Sequence, residues 1–462
     1  MNVRPITPLE TASDFKCNEM FFSTTDLKGI ILSGNEVFVR ISGFSTDELY
    51  GRPHNTIRHP DMPRAAFALL WANLKQGRPF AGYVKNMAKD GSFYWVFVVA
   101  VPASENRYLS IRFKPTTPLL GQVEALYQQM RAAEETVLAG GGKEQDAVAA
   151  GLQVAAAALL QLNFASYDLF SHMALNQEIK ARDKQLQAEG THLFPHDLIG
   201  GKDRDSLAAI YAFGVQTYEQ IDGLYQQLDG FAGFNRSLQV SSTAVLGTAE
   251  DFRLHALNVN ITAQQFGAVS VGVGVVARFL SEYSRQLSDG TVELRTQIGE
   301  MVRGAETISA LIAIGRLQLE MLLFFQAEAF AQPEAVSAQQ SKILEECFIT
   351  TITQVFAALT QLRDNLPRLL DNRQTLARAA MAIQIAQVSG LTESARIPEG
   401  ETLRSMFVEF RAKIGTTRTN LEDLSQVMDK IGAISNNSPR RIAAIAASTQ
   451  RAGYHRPLQK CG

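Results

Sequence analysis

The segment that decides the fold reads NTIRHPDMP over residues 55–63, and it places a guanidinium, an imidazole and a carboxylate around two prolines. Each proline restricts the backbone of the residue before it and interrupts a continuous helix. Pro63 suits the first turn of a helix predicted over 63–76, and Asp61 is placed to cap that helix. A rigid charged cluster at a helix start suits a polar cofactor, although a capping aspartate beside a solvated turn explains the same residues.

Short apolar runs, rich in β-branched and aromatic residues, surround this segment and predict strands. They lie at residues 20–25, 30–33, 80–87, 93–101 and 108–113. A DLKG turn separates the first two runs, and a KDG turn separates the third from the fourth. The sequence therefore predicts an α+β domain, in which a five-stranded antiparallel sheet carries helices on one face and leaves room for one flat ligand.

Four strings in this region occur in a specific order. They are STTDLKGIILSGNEVF at 23–38, RHPDMP at 58–63, GYVKN at 82–86 and KDGSFYWV at 89–96. Together they resemble the PAS domain of the bacterial aerotaxis receptor family, over residues 18–115. Members of that family bind FAD in the PAS domain and report redox or oxygen status to the chemotaxis machinery. The resemblance implies an FAD-containing sensor of the same kind.

The resemblance also implies a cofactor site, shaped by Arg58, His59 and Asp61 and lined by Asn35, Trp71 and Asn86. Arg58 can pair with a phosphate or stabilise a reduced anionic flavin. Asn86 offers a donor and an acceptor to a flavin ring edge, and Trp71 offers a stacking surface. Ordinary structural roles, a core aromatic for Trp71 and a strand-end polar residue for Asn86, are the competing interpretations.

Two alternative functions fit the same domain. A heme-binding PAS gas sensor would use His54 or His59 as the iron ligand. A cofactor-free adaptor would keep the PAS domain for dimerisation and recruit a partner through its helices. An absorbance spectrum of the purified protein distinguishes a Soret band, flavin bands and a colourless protein.

Composition excludes several other classes of protein. The 462 residues carry a net charge of −2, which gives no general signal for nucleic acid or a membrane surface. Cys17, Cys347 and Cys461 show no metal-binding or disulfide spacing, which fits a reducing compartment.

No uninterrupted apolar run reaches about 18 residues, so we expect a cytoplasmic protein without the membrane anchor of the familiar aerotaxis receptor. No P-loop, kinase, cyclase or nucleophile-elbow motif predicts an enzyme.

Helical patterns dominate the chain after about residue 119. Apolar residues repeat strictly by four and three from Leu403 to Ile431, with Thr417 as the one polar member. A looser stripe of the same kind runs over residues 207–231. Both patterns predict long antiparallel helices in a bundle or coiled coil, and self-association is expected unless the partner helix lies in the same chain.

A second resemblance lies inside this helical region, at ALNVNITAQQFGAVSVGVGVVA over residues 256–277. It resembles the hairpin tip of methyl-accepting chemotaxis receptors, which implies a chemotaxis-type kinase and coupling protein as partners. Thr262, Gln265 and Ala268 replace charged residues of that family, and so do residues 278–281. Lost charges mainly change partner choice. A fainter resemblance to the same hairpin occurs at residues 382–387 and 407–424, as in a more degraded second copy.

These observations predict five regions. They are an N-terminal tail (1–17), a PAS sensor domain (18–115), a helical connector (116–200), a helical signalling-like bundle (201–435, with its hairpin tip near 258–277) and a basic C-terminal tail (436–462).

Overall fold

The computed structural model describes residues 6–104, 106–162, 164, 166–191, 205–228, 230–267, 271–331 and 338–452. Its first part contains β1 (Met20–Asp26), β2 (Ile31–Gly34), α1 (Glu36–Ser42), α2 (Thr46–Leu49), a short 3-10 helix (His54–Ile57), α3 (Arg64–Lys75), β3 (Phe80–Met87), β4 (Phe93–Ala103) and β5 (Arg107–Phe113). The helices that follow are α4 (Leu119–Ala139), α5 (Glu144–Gln161), α6 (Tyr167–Ala188), α7 (Asp205–Leu228), α8 (Gly230–Gln265), α9 (Val271–Ala331), α10 (Ala338–Ser394) and α11 (Glu401–Ala452).

The chain divides into two compact units, and some helices contribute to both. The first unit contains residues up to Tyr225 together with Ser309–Val355 and the C-terminal end, while the second contains Gln226–Ile308 and Phe356–Arg441. Thus α9 and α10 each supply residues to both units.

The first unit is built on a five-stranded sheet in the order β2-β1-β5-β4-β3. All neighbouring strands are antiparallel, with Phe22 opposite Ile111 and Val98 opposite Arg112. This confirms the predicted α+β domain. Successive side chains point to opposite faces of a strand. Ser23 and Arg112 lie on the face that α3 covers, called here the inner face, and Phe22 lies on the outer face.

Helices from later in the chain cover the outer face. The ring of Phe22 meets the ring of Phe325 of α9 at 5.1 Å. Tyr83 of β3 donates a 2.7 Å hydrogen bond to the carboxylate of Glu178 of α6. The guanidinium of Arg182, also of α6, lies 5.7 Å from the ring of Phe113. Sheet, α6 and the C-terminal part of α9 therefore share one buried core.

Buried ion pairs fix these helices within the first unit. Arg182 Nη2 lies 2.6 Å from Glu320 Oε1, and both side chains are nearly inaccessible. Arg316 pairs with Asp183 at 2.8 Å and with Asp222 at 3.0 Å. A buried charge that loses its partner is strongly unfavourable, so these pairs define how α6, α7 and α9 pack against one another.

The second unit is an antiparallel four-helix bundle. Its helix α9 runs against α10, because Gly290 packs on Leu376 and Gly272 packs on Glu393. Similarly, α10 runs against α11, where Gln387 donates to the carbonyl of Phe407 at 2.9 Å. Two turns reverse the chain. One joins α8 to α9 inside the sequence that resembles a receptor tip, although residues 268–270, including Ala268, lie outside the described residues.

The heptad seam is buried inside this bundle. Its members from Leu403 to Met428 are all buried, and the Thr417 hydroxyl donates to the carbonyl of Lys413 at 3.0 Å. The phenyl ring of Phe410 stacks on that of Phe252 of α8 at 5.6 Å. The partner helices of the seam therefore belong to the same chain. The side chain of Ile431 and much of the stripe over 207–231 lie outside the described residues.

Two helices are long and apolar enough to cross a membrane by length and composition alone. They cover Val271–Glu328 and Gln339–Ser394, and their most apolar windows have mean hydropathies of 1.7 and 1.3. The window in the first is 89% buried inside the protein, against 50% in the second. Core helices of globular proteins pass the same test, so this observation is weak evidence for a membrane span.

Two glycines of the bundle are expected to respond oppositely to alanine. A Cβ at Gly390 would lie 2.2 Å from the buried Phe407 ring, whereas a Cβ at Gly415 meets nothing within 4 Å. Gly390→Ala should lower the free energy of unfolding by about 1–3 kcal/mol through overpacking. Gly415→Ala should raise it by about 0.5–1 kcal/mol through helix propensity. Urea denaturation measures both, and equal effects at the two positions would contradict the packing of α10 on α11.

Candidate functional site

A cavity of about 300 Å³ lies between the inner face of the sheet, the 3-10 helix and α3. Its walls include Val84, Val98 and Ala100 from the sheet and Phe67 and Leu70 from α3. Lys28, Pro53 and Asn55 also border the cavity and are exposed, so they mark its mouth. This volume is at the lower end of the range for ligand pockets and suits one flat ring system.

The segment over residues 58–63 is held against the edge of the sheet. Arg58 forms a backbone bridge with Asn86, and the His59 amide donates to the carbonyl of Lys85 at 3.3 Å. Pro63 ends the segment and precedes the first residue of α3. Because its backbone joins β3, the segment places the Arg58 side chain at the cavity wall.

The start of α3 is capped by a residue that is distant in sequence. The amides of Arg64 and Ala65 donate to the Glu134 carboxylate of α4 at 2.9 and 2.8 Å. The prediction that Asp61 caps this helix is therefore wrong, because Asp61 instead pairs with Lys85 at 2.7 Å. The Glu134 side chain is buried, and a carboxylate at a helix N-terminus is favoured by the helix dipole.

Three of the residues that the resemblance singled out line the cavity, namely Arg58, Trp71 and Asn86. The Arg58 guanidinium donates to the carbonyl of Met62 at 2.7 Å and lies 4.6 Å from the Phe67 ring. Asn86 is 2% exposed, and its Nδ2 has no hydrogen-bond partner. An unsatisfied buried donor on a cavity wall is unfavourable unless a ligand accepts from it.

Trp71 forms the cavity wall through close contacts with β5 and with the turn between β1 and β2. Its ring lies 5.8 Å from the ring of Tyr108. A Cβ at Gly29 would lie 3.0 Å from the Trp71 ring, and Gly29 has a φ of +81°. Only glycine accommodates both the left-handed backbone and this approach. The indole therefore has a fixed position.

The other three residues lie outside the cavity lining. Asn35 caps α1, because its Oδ1 accepts from the amides of Phe38 and Phe22, and its Nδ2 donates to Glu328 at 3.0 Å. The His59 ring packs on Phe93, and its Nδ1 accepts from the Asp61 amide at 3.2 Å. These residues position β1, α1 and the 58–63 segment and do not border the cavity.

Sequence reasoning missed two basic residues of the cavity, Arg112 and Lys28. Arg112 is 3% exposed, and its guanidinium donates to Ser23 Oγ at 3.1 Å and to His54 Nε2 at 2.7 Å. The sequence contains a pattern that points to Arg112, because the side chains at positions 108, 110 and 112 all lie on the same face of β5. Lys28 lies in the DLKG segment, for which the sequence pattern predicts a turn and no ligand contact.

His54 is poorly placed to bind a heme iron. Burial and the neighbouring Arg112 guanidinium lower the pKa of the imidazole to about 3. The neutral ring accepts from Arg112 through Nε2, so this lone pair is engaged. His59, the other candidate, does not line the cavity among the described residues.

A second cavity, of about 260 Å³, lies among α3, α4, α5 and α6. Its walls are mostly apolar, and the hydroxyls of Tyr83 and Tyr167 already donate to Glu178 and to the carbonyl of Ala81. The cavity on the inner face, with its unpartnered amide and its cations, is the better candidate for a polar cofactor.

Comparison with known proteins identifies the domain around the inner cavity. Residues 31–111 match the PAS fold family. The chain is 47% identical over 114 residues to the aerotaxis receptor of Escherichia coli (strain K12), which is 24% of this chain and 22% of the receptor. It is 30% identical over 80 residues to a nitrogen fixation regulatory protein of Klebsiella pneumoniae, or 17% of this chain and 16% of that protein.

A solved PAS domain of a protein from Colwellia psychrerythraea is 24% identical, with a TM-score of 0.18, and the alignment covers 21% of this chain and 85% of that domain. The chain spans about a fifth of the length of the aerotaxis receptor. The match to the PAS fold family and the 47% identity show that the N-terminal region is a PAS domain similar to that of the aerotaxis receptor, which confirms the resemblance found in the sequence.

The depressed pKa of His54 predicts a pH dependence of stability. Its ordinary pKa is 6.5 and its pKa in the folded protein is about 3. The stabilisation is therefore complete above pH 6.5 and is lost as the pH falls toward 3, because the unfolded chain binds the proton first. Between pH 7 and 5, the free energy of unfolding should fall by about 1–2 kcal/mol more in the wild type than in His54→Gln. Urea titrations at both pH values measure this, and equal pH slopes would refute it.

Proposed function

We propose that this protein is a signal-transduction sensor that reads redox or oxygen status through FAD bound in the PAS domain and passes the signal to its helices. The observation that carries the proposal is the buried Asn86 amide, which is unpartnered on the wall of a cavity with basic residues. The similarity of this domain to an aerotaxis receptor supports the same assignment.

The residues of the cavity fit the chemistry of FAD. Asn86 would donate to a ring oxygen or nitrogen, which satisfies its Nδ2. Trp71 would provide an apolar wall for the ring, and Lys28 and Arg58 would supply cations for the phosphates. FAD, when bound, supplies a ring system that accepts and releases electrons. A cofactor-free adaptor would leave the Asn86 donor unsatisfied, which makes it the less favourable alternative.

The output would begin where the outer face of the sheet meets the helices of the first unit. Asn35 joins three elements, since it accepts from the amide of Phe22 in β1, caps α1 and donates to Glu328 in α9. A change at the inner face that moves β1 or α1 would therefore shift α9 through these hydrogen bonds. Helix α9 also contributes residues to the four-helix bundle.

We further propose that the protein acts in the cytoplasm as a sensor without an enzymatic activity of its own. Its expected partners are a second copy of the chain and a chemotaxis-type kinase with its coupling protein. The altered residues at the C-terminal end of α8, such as Thr262 and Gln265, make the standard kinase a poor match.

The flavin assignment predicts the effect of removing the Asn86 amide. Asn86→Ala should weaken FAD binding to the purified chain by about fivefold to a hundredfold and so lower its FAD occupancy, because the bound ring loses a buried hydrogen bond worth about 1–3 kcal/mol. The matched control is Asn73→Ala, which removes another buried amide that donates within α3 and lies outside the cavity lining. The measurement is the ratio of flavin absorbance to protein.

Full FAD occupancy in Asn86→Ala would show that Asn86 does not hold the flavin. A Soret band in the wild-type spectrum would show that the cofactor is heme and not FAD. A colourless wild-type protein that gains no flavin on reconstitution would favour the cofactor-free adaptor.

The altered charges at the C-terminal end of α8 predict weak coupling to a standard chemotaxis kinase. Close charged pairs across an interface contribute about 1.5 kcal/mol or more, so the loss of several should weaken docking by roughly tenfold to a hundredfold. The test is a reconstituted array of the protein with a standard kinase and coupling protein, assayed with oxidised and with reduced flavin. Thr262→Glu combined with Gln265→Arg restores two charges and should raise kinase activation. Strong activation by the wild type would contradict the prediction.

A further inference from the structure

Arg112 is a buried cation on the wall of the inner cavity. It lies on β5 and is 3% exposed. Both Nη1 and Nη2 lie 3.1 Å from Ser23 Oγ, and Nη2 lies 2.7 Å from His54 Nε2. The guanidinium carbon also lies 5.8 Å from the ring centre of Phe21 and 5.6 Å from that of Phe38. Nη1 also donates to the carbonyl of Ser110 at 3.4 Å. A hydroxyl, an imidazole, a backbone carbonyl and two phenyl rings therefore surround the charge, and all of these groups are uncharged.

These partners do not neutralise Arg112. Across the described residues, no carboxylate lies within 4 Å of its guanidinium. The imidazole of His54 stays uncharged, because burial and the adjacent guanidinium lower its pKa. The pair of side chains thus carries one net positive charge. A buried charge without a counterion is strongly unfavourable, and an anionic group in the cavity would relieve this.

The other cations of the cavity are in different situations. Lys28 is exposed at the mouth, where water screens its charge. Arg58 is only partly buried, and its guanidinium is engaged with the carbonyl of Met62 and the ring of Phe67. Arg112 is the most deeply buried of the three, so its charge acts most strongly on whatever occupies the cavity.

We propose that Arg112 is the charge-selecting residue of the cavity and makes it bind the anionic, reduced form of FAD more tightly than the oxidised form. The identity of the ligand rests on the proposed function. Reduction by two electrons from dithionite, with uptake of one proton from water, leaves one negative charge on the flavin ring. That charge supplies the counterion that Arg112 lacks within the protein.

The reduction potential of FAD bound to the full-length chain tests this proposal. Arg112→Gln removes the charge and keeps a donor for Ser23, whereas Arg112→Lys keeps the charge. Arg52→Gln removes one positive charge at an exposed position outside the cavity lining. Arg112→Gln should weaken the preference for reduced FAD at least tenfold, which lowers a two-electron potential by about 30 mV. Arg112→Lys should retain most of the preference, and Arg52→Gln should match the wild type.

Two results of the potential measurement would overturn the proposal. One is a wild-type potential in Arg112→Gln. The other is an equal shift in Arg52→Gln, which would assign the effect to net charge instead of to the buried position.

A measurement without cofactor separates this proposal from the proposed function. In the FAD-free chain, Arg112→Gln should unfold at a temperature no lower than the wild type, because it removes an uncompensated charge. A drop of several degrees, or a variant that does not fold, would make Arg112 a structural residue and refute the proposal. A wild type that binds no FAD refutes the proposed function, and the FAD-free comparison then decides by itself whether Arg112 is an uncompensated charge.

Discussion

The central sheet of the first unit has no face open to solvent, and the cavity and the docked helices both follow from this. All eight residues of β3 are buried, and so are six of the seven residues of β1. Antiparallel sheets commonly leave one face to water. Here successive residues of one strand point to opposite faces of the sheet, and each face is buried by different helices. The inner face is covered by α3 and encloses the cavity, and the outer face is covered by α6 and α9.

Local sequence patterns predicted the elements of the fold well, because they depend on neighbouring residues. The short apolar runs and the turns DLKG and KDG placed all five strands within two residues of their observed ends. The seam from Leu403 placed the buried side of α11 for the same reason. The cap of α3 could not be predicted in this way. It comes from Glu134, about 70 positions away, and no local rule connects it with Arg64.

The resemblance to a family indicates which residues belong to the region of the cofactor site, but it does not show which of them line the cavity. It pointed to Arg58, Trp71 and Asn86, which line the cavity, but equally to Asn35, which caps α1. An aligned position does not reveal whether a side chain touches a ligand or supports a neighbour that does. Residues that cap a helix and residues that contact a ligand are both intolerant of change. Only the direction of each side chain separates them, and on β5 the alternation that identifies Arg112 was available in the sequence.

The four-helix bundle removes the apolar seam of α11 from the surfaces that are available for self-association. The strict seam from Leu403 predicted a need for partner helices, but Phe252 of α8 and the α10 helix of the same chain already cover it. Contact between copies would therefore use other surfaces. Ile261, Phe279 and Met381 each remain about half exposed or more. The seam therefore accounts for the closure of the bundle within one chain, and its buried residues offer no surface to a second copy.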